Sequence, residues 1–159
     1  MKDNKGMGTI KLIIFVVIIG LIVAMGVYFS RMKYNQARIE TIKTDMLQIQ
    51  WKLKDYMDKQ TIKREEKKYL GEKVSQMQED EGIKEFINKG ILSSEEYDKY
   101  YVLKDEDLAE ATSEITNYQN SYFLVNYENY EIILTSGFEY MKGKTLYKLS
   151  DFQNVADKK

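Results

Sequence analysis

The sequence predicts an α+β fold in which a long N-terminal helix, running from a membrane into an ectodomain, packs on a small C-terminal antiparallel sheet with short helices. Three observations lead there. An almost unbroken apolar run spans Leu12 to Phe29; a helical stripe follows it at Ile39, Ile42, Met46, Ile49, Leu53 and Tyr56, spaced 3, 4, 3, 4, 3; and β-branched and aromatic residues crowd the last forty positions of the 159. The chain contains no proline, and no glycine falls between Gly26 and Gly71, so nothing in the sequence interrupts a helix from about Thr9 to Asp58. Such a helix is roughly 75 Å long.

The apolar run has eighteen residues, thirteen of them Leu, Ile, Val or Phe. At 1.5 Å per residue it measures about 27 Å, close to the roughly 30 Å hydrocarbon thickness of a bilayer. Each of those thirteen residues favours insertion by about 0.3 to 0.6 kcal/mol. Lys11 and Arg31 bracket the run, where their stems can carry the charge to the headgroups. A cleaved secretory signal has a shorter apolar core and small residues after it, whereas Tyr28-Phe29-Ser30-Arg31-Met32 follows here. Gly20/Ala24 and Gly26/Ser30, each four apart, are small enough for close approach of another membrane helix.

Beyond the run, the stripe has two readings. Its heptad spacing suits a coiled-coil seam, but it covers fewer than three or four heptads. Leu47 and Trp51 widen it toward the broader face of a helix laid on a globular core. From Asp58 to Gly82 the composition turns to Lys, Glu, Gln and Asp, with Ile62, Tyr69, Leu70, Val74 and Met77 as apolar anchors, which reads as a charged connector. The cluster Lys63-Arg64-Glu65-Glu66-Lys67-Lys68 interleaves both signs in a chain of net charge −1, a pattern of solvated faces rather than of nucleic-acid binding.

A short helix is expected at Ile83 to Asn88, stopped by Gly90. Ser93 with Glu96 forms a capping-box pattern that opens a helical turn through Tyr97. Tyr100 to Leu103 reads as a brief strand and Asp105 to Ala111 as another short helix, these small elements surrounding the spine. Tyr122 to Tyr127 and Tyr130 to Thr135, separated by Glu128-Asn129, form a natural hairpin, and Thr145 to Leu149 a further strand. Three antiparallel strands need a covered apolar face, which the helical stripe supplies. Thirteen tyrosines and one tryptophan imply an aromatic core with hydroxyls at its rim.

The chain has no cysteine and no histidine, which removes disulfides, thiol nucleophiles, imidazole bases and the common zinc ligand sets. Asp105/Asp107 and Glu95/Glu96 are the carboxylate pairs available for acid–base chemistry or calcium, but no calcium loop or glycine-rich phosphate loop accompanies them. The residues therefore point to a non-catalytic protein with no cofactor, metal or small-molecule substrate.

Lys5-Gly6 before Met7-Gly8-Thr9-Ile10-Lys11 and the long apolar helix resembles the N-terminus of type IV prepilins and type II secretion pseudopilins. The resemblance implies a basic leader containing Lys2 and Lys5, cut by a prepilin peptidase between Gly6 and Met7, with Met7 then N-methylated; cleavage after Gly8 is the secondary option. Gly20, fourteenth after the cut, also agrees with the family. Lys11 departs from it, standing where the family usually has a glutamate that neutralises a neighbour's new terminal amine. Lys11 cannot pair with that amine, so the resemblance is to minor pseudopilins and to the pilin-like proteins of clostridia and related Gram-positive bacteria, which also lack the disulfide-closed loop of many major pilins.

What the resemblance implies is a leader over 1–6, a transmembrane helix over 7–30, the extracellular half of the spine helix over 31–58, a connector over 59–82 and a small α+β region over 83–159. The N-terminus is then cytoplasmic and the ectodomain external, a choice on which the flanking charges Lys2, Lys5 and Lys11 against Arg31, Lys33 and Arg38 are tied. Partners are the lipid bilayer, the peptidase and other pilin-like subunits of a pilus or of a secretion or DNA-uptake pseudopilus. The alternative is an uncleaved single-pass protein whose coiled-coil-like stalk binds a partner protein.

Overall fold

The computed structural model describes residues 5–64, 66–104, 106–108 and 121–157, with side chains from Ile13 onward. The chain divides into two compact units, Met1–Arg38 and Ile39–Lys159. Helix α1 (Lys5–Lys63) supplies the described part of the first unit and the first element of the second. In the first unit, the side chains from Ile13 to Phe29 are exposed throughout. Among the described residues one helix is long and apolar enough to cross a membrane, and it is this one. Tyr28 and Phe29 meet edge-on, ring centroids 6.0 Å apart, at the end of the apolar stretch, the kind of aromatic pair that favours a headgroup boundary.

In the second unit, α1 turns from exposed to striped. Ile39, Ile42, Met46, Ile49 and Leu53 are buried as the spacing predicts, and they pack on the unit's own sheet in the sense of a helix laid on a globular core. The stripe then departs from the strict heptad: Met57 and Gln60 are buried, whereas Tyr56 is only half-buried. A straight helix explains this, since five turns of 3.6 residues from Ile39 end at position 57. Trp51 does not widen the core face; it stands 75% exposed on the opposite side, while Leu47 packs at the margin. The helix also runs five residues beyond Asp58 to Lys63, where Arg64 at φ 56 reverses the chain.

Among the described residues the sheet has five antiparallel strands in the order β1-β2-β3-β4-β5: β1 (Glu72–Lys73), β2 (Tyr100–Leu103), β3 (Phe123–Asn126), β4 (Ile132–Met141) and β5 (Lys144–Lys148). The hairpin expected around Glu128-Asn129 is present, with Phe123 opposite Leu134 and Val125 opposite Ile132. Its turn takes four residues, Tyr127 to Tyr130, rather than two: Tyr130 N–H donates to Asn126 C=O at 2.7 Å and Tyr130 adopts φ 57. Asn126 and Asn129 side chains accept from the N–H groups two residues on, at 2.9 Å each, which is the local bonding that makes asparagine a turn residue. β4 and β5 continue past β3, with an irregular register around Gly137 at φ 66, where an added Cβ would lie 2.6 Å from the Tyr147 ring.

Both faces of this sheet are covered. Leu103, Phe123, Val125, Ile132 and Leu134 face α1, while Tyr100, Val102, Leu124 and Ile133 alternate onto the other face and join Val74, Ile83, Phe86 and Leu92. Helix α2 (Glu81–Asn88) therefore lies on the sheet's far face instead of surrounding the spine. The reason is the continuous burial of β3: a strand apolar at every position needs a cover on each side. Asp80 caps α2 by accepting from Gly82 and Ile83 N–H at 3.0 and 3.1 Å, and Tyr122 hydroxyl donates to its other oxygen at 3.1 Å.

Three further elements differ from expectation. The connector holds the edge strand β1 and the fully buried Val74. The Ser93/Glu96 box closes as predicted, but on a single 3-10 turn over Ser94–Glu96; the two bonds from Ser93 hold the Glu96 carboxyl below its usual pKa. Leu149 opens a helix, α3 (Leu149–Ala156), instead of ending a strand. Of the helix expected at Asp105 to Ala111, residues 106–108 are helical and the others lie outside the described residues.

Candidate functional site

The Lys5-Gly6-Met7 motif falls in the first turn of α1, which starts four residues before the expected Thr9. Lys2 lies outside the described residues, and so do the side chains of Lys5, Met7 and Lys11. Gly20 and Gly26 have open space where a Cβ would stand, and Ala24 and Ser30 are exposed beside them. From Gly20 to Gly26 the helix turns through six residues, which sets the two small pairs about 120° apart around the axis. One neighbouring helix could use one pair only.

Of the carboxylates singled out for chemistry, Asp107 and Glu96 are engaged in local structure, and Glu95 is exposed. Asp107 accepts from Lys104 N–H at 2.9 Å, Glu96 belongs to the capping box, and Asp105 lies outside the described residues. Among the described residues no group of three acidic side chains is gathered as a cation cage.

The built polar features lie where α1 ends. Gln60, buried, clamps the returning chain by accepting from Lys68 N–H at 2.7 Å and donating to Lys68 C=O at 3.1 Å. Tyr127 does the same for Leu70, its hydroxyl accepting from the N–H and donating to the C=O, both at 3.0 Å. Around it Tyr69, Tyr101 and Tyr130 stack with ring centroids 4.8 to 6.4 Å apart, and Lys54 Nζ stands 5.3 Å from the Tyr130 ring. Gln50 reaches across to Tyr130 C=O at 2.8 Å. Composition announces an aromatic core, but the two glutamines and the clamps escape a sequence reading. Their polarity on the buried side of α1 was the only signal, and polar residues on that side look like breaks in the stripe.

Burial raises the pKa of Tyr127, with the Leu70 hydrogen bond opposing it, and raises that of Tyr130. It pushes Tyr100 from 10.0 up to about 12, with Glu131 and Glu96 adding to the effect. Below pH 10 these phenols are neutral in folded and unfolded chains alike and their contribution to stability is intact. Above it the unfolded chain ionises first, so stability falls as pH rises toward 12. Denaturant midpoints measured from pH 8 to 12 are expected to fall along that limb, and Tyr100→Phe to flatten it. Tyr127→Phe is expected to cost about 1 to 3 kcal/mol already at neutral pH, because it leaves both Leu70 backbone groups without their partner.

No protein-family model, curated protein or solved structure matches the chain.

Proposed function

We propose that this chain is a non-catalytic pilin-like or minor pseudopilin subunit: a single-pass membrane protein with a cytoplasmic N-terminus, cut between Gly6 and Met7 and assembled with similar subunits into a type IV pilus or a type II secretion or DNA-uptake pseudopilus. The observation that carries the reading is α1 itself, an exposed apolar stretch from Ile13 to Phe29 and a stripe buried against the chain's own antiparallel sheet within one helix. That combination suits a subunit anchored by one end and folded at the other. It weakens the alternative of an uncleaved protein with a coiled-coil stalk, because the stripe that would form the seam is already occupied.

Three features fit assembly. The small pairs about 120° apart suit a membrane helix with neighbours on two sides. Trp51, 75% exposed on the solvent face of α1, is a residue type that carries binding energy when covered. Lys11 favours a position at the end of an assembly, where no neighbour's terminal amine needs a carboxylate.

Mass spectrometry of the N-terminal peptide, from membranes of a host with and without its prepilin peptidase, tests the proposal. The expected start is Met7, methylated or not, only where the peptidase is present, and Gly6→Val is expected to abolish it. An intact start at Met1 or Lys2 in both strains would overturn the reading. Trp51→Ala is expected to leave the melting temperature within experimental error while reducing crosslinking between subunits in the membrane.

A further inference from the structure

We propose that Tyr69 and Tyr101 are a site of oxidative crosslinking, at which a peroxide, acting through a one-electron oxidant such as a haem peroxidase, joins the two phenol rings by a carbon–carbon bond. The inference is independent of how the N-terminus is processed. The chain has no cysteine, so this bond is a covalent staple of a kind that no disulfide can supply here.

The two rings come from different stretches of chain. Tyr69 lies on the segment that returns from the end of α1, two residues before Gly71, and Tyr101 lies in β2 opposite Lys73 of β1. The pairing of β1 with β2 therefore brings them together, with ring centroids 5.2 Å apart and planes inclined by 38°. The Tyr127 hydroxyl holds Leu70, the next residue after Tyr69, by both backbone groups at 3.0 Å. Coupling thus needs a small shift of two side chains already in contact, and reactants held in that way combine as one molecule rather than two.

Access and free hydroxyls select this pair. Tyr69 is 43% exposed and Tyr101 half-buried, and no described residue hydrogen-bonds to either hydroxyl. A phenol that loses an electron must also lose its hydroxyl proton, which water can take from both. Tyr127 touches both rings, with centroids 4.8 and 5.2 Å away, but its hydroxyl is occupied by Leu70 and burial resists loss of its proton. Tyr130 stands farther out, 6.4 Å from the Tyr127 ring.

The reaction balances without any group from the protein beyond the two phenols. Each gives up one electron and its hydroxyl proton. The two radicals join through ring carbons ortho to oxygen; the hydrogen on each of those carbons then moves to the adjacent oxygen and restores two phenols. One peroxide takes up the two electrons and two protons as its O–O bond breaks, giving two waters from hydrogen peroxide, and the protein becomes lighter by two hydrogens. The product closes the chain between Tyr69 and Tyr101 into a loop, which restricts the unfolded ensemble as a disulfide does.

The test is treatment of the full chain, dilute in neutral detergent micelles, with a haem peroxidase and hydrogen peroxide limited to one equivalent per chain, followed by peptide mass mapping. The expected first product is a single chain lighter by two hydrogens, with dityrosine fluorescence and a linked pair of peptides containing Tyr69 and Tyr101. Tyr69→Phe and Tyr101→Phe are each expected to abolish that product, whereas Tyr127→Phe, which keeps both partners, is expected to retain it. The linked chain is expected to melt several degrees above the untreated one. No dityrosine, a bond mapped to another tyrosine, or bonds mainly between chains would overturn the site; a linked chain that melts no higher would overturn its role as a staple. Mapping on the unaltered chain locates the bond even where a variant does not fold.

Discussion

Gly71→Ala is expected to cost about 3 kcal/mol or more, lowering the melting temperature of the second unit by roughly 10 °C or more. Gly71 sits at φ 83, immediately before β1, and a Cβ there would lie 2.2 Å from the carbonyl oxygen of Val102. Two penalties combine. The left-handed conformation alone costs an alanine about 1 to 2 kcal/mol. The overlap is with backbone, and Val102 is held in β2 by pairing with both Glu72 and Leu124, so no rotamer change can relieve it. Relief requires β1 to move away, which gives up its ladder bonds and strains the Tyr127 clamp on Leu70 one residue earlier. Gly143→Ala isolates the first penalty. That position, φ 76, has nothing within 4 Å of a Cβ, so only the conformational cost, about 1 kcal/mol, is expected there. Thermal or denaturant unfolding of the two variants side by side separates the terms, and equal losses would show that the approach of Gly71 to Val102 is not what holds β1 in place.

The comparison also shows where a sequence stops being informative. The α+β class, the buried stripe through Leu53 and the hairpin were legible because the helix carries a 3.6-residue period and the strands are β-branched and aromatic runs separated by turn residues. What failed rests on choices that periodicity does not encode. Trp51 looked like a core residue by hydrophobicity, yet its angular position faces solvent. β1 is two residues long and composed of Glu and Lys, so it forms from the register of β2 and from no propensity of its own. The second covered face was implicit in the unbroken apolar run Phe123-Leu124-Val125, which signals burial on both sides. The Lys5-Gly6-Met7 pattern was readable only as a resemblance, since Gly6 lies within α1 like its neighbours. The Gln60 clamp on the Lys68 backbone was hidden because the chain returns to it through a reversal at Arg64, a residue type that does not advertise a turn.

Phe152→Ala is expected to destabilise the second unit by about 3 to 5 kcal/mol, although only seven residues of the sequence follow it. Terminal helices are often dispensable. This one is not, because Leu149 and Phe152 are buried within the same core as Ile39, Ile42, Met46 and Ile49 of α1 and the inner face of the sheet. Phe152 has no exposed surface, and removing its ring leaves a void that its neighbours cannot fill without moving α1 off the sheet. α3 is joined to β5 without a loop and is tied at its start by Ser150 N–H donating to Glu131 at 3.0 Å and Lys148 N–H donating to Asp151 at 3.3 Å. Its position is therefore set by the sheet, and the aromatic ring fills the space that α1 and β4 leave. The same apolar spacing, Leu149, Phe152 and Val155, is the sequence signal for α3, weak because it covers barely two turns. Denaturant unfolding of Phe152→Ala against Val155→Ala, whose side chain is only half-buried, checks the account: a loss confined to Phe152 follows from burial, whereas equal small losses would mean that the C-terminal helix is peripheral.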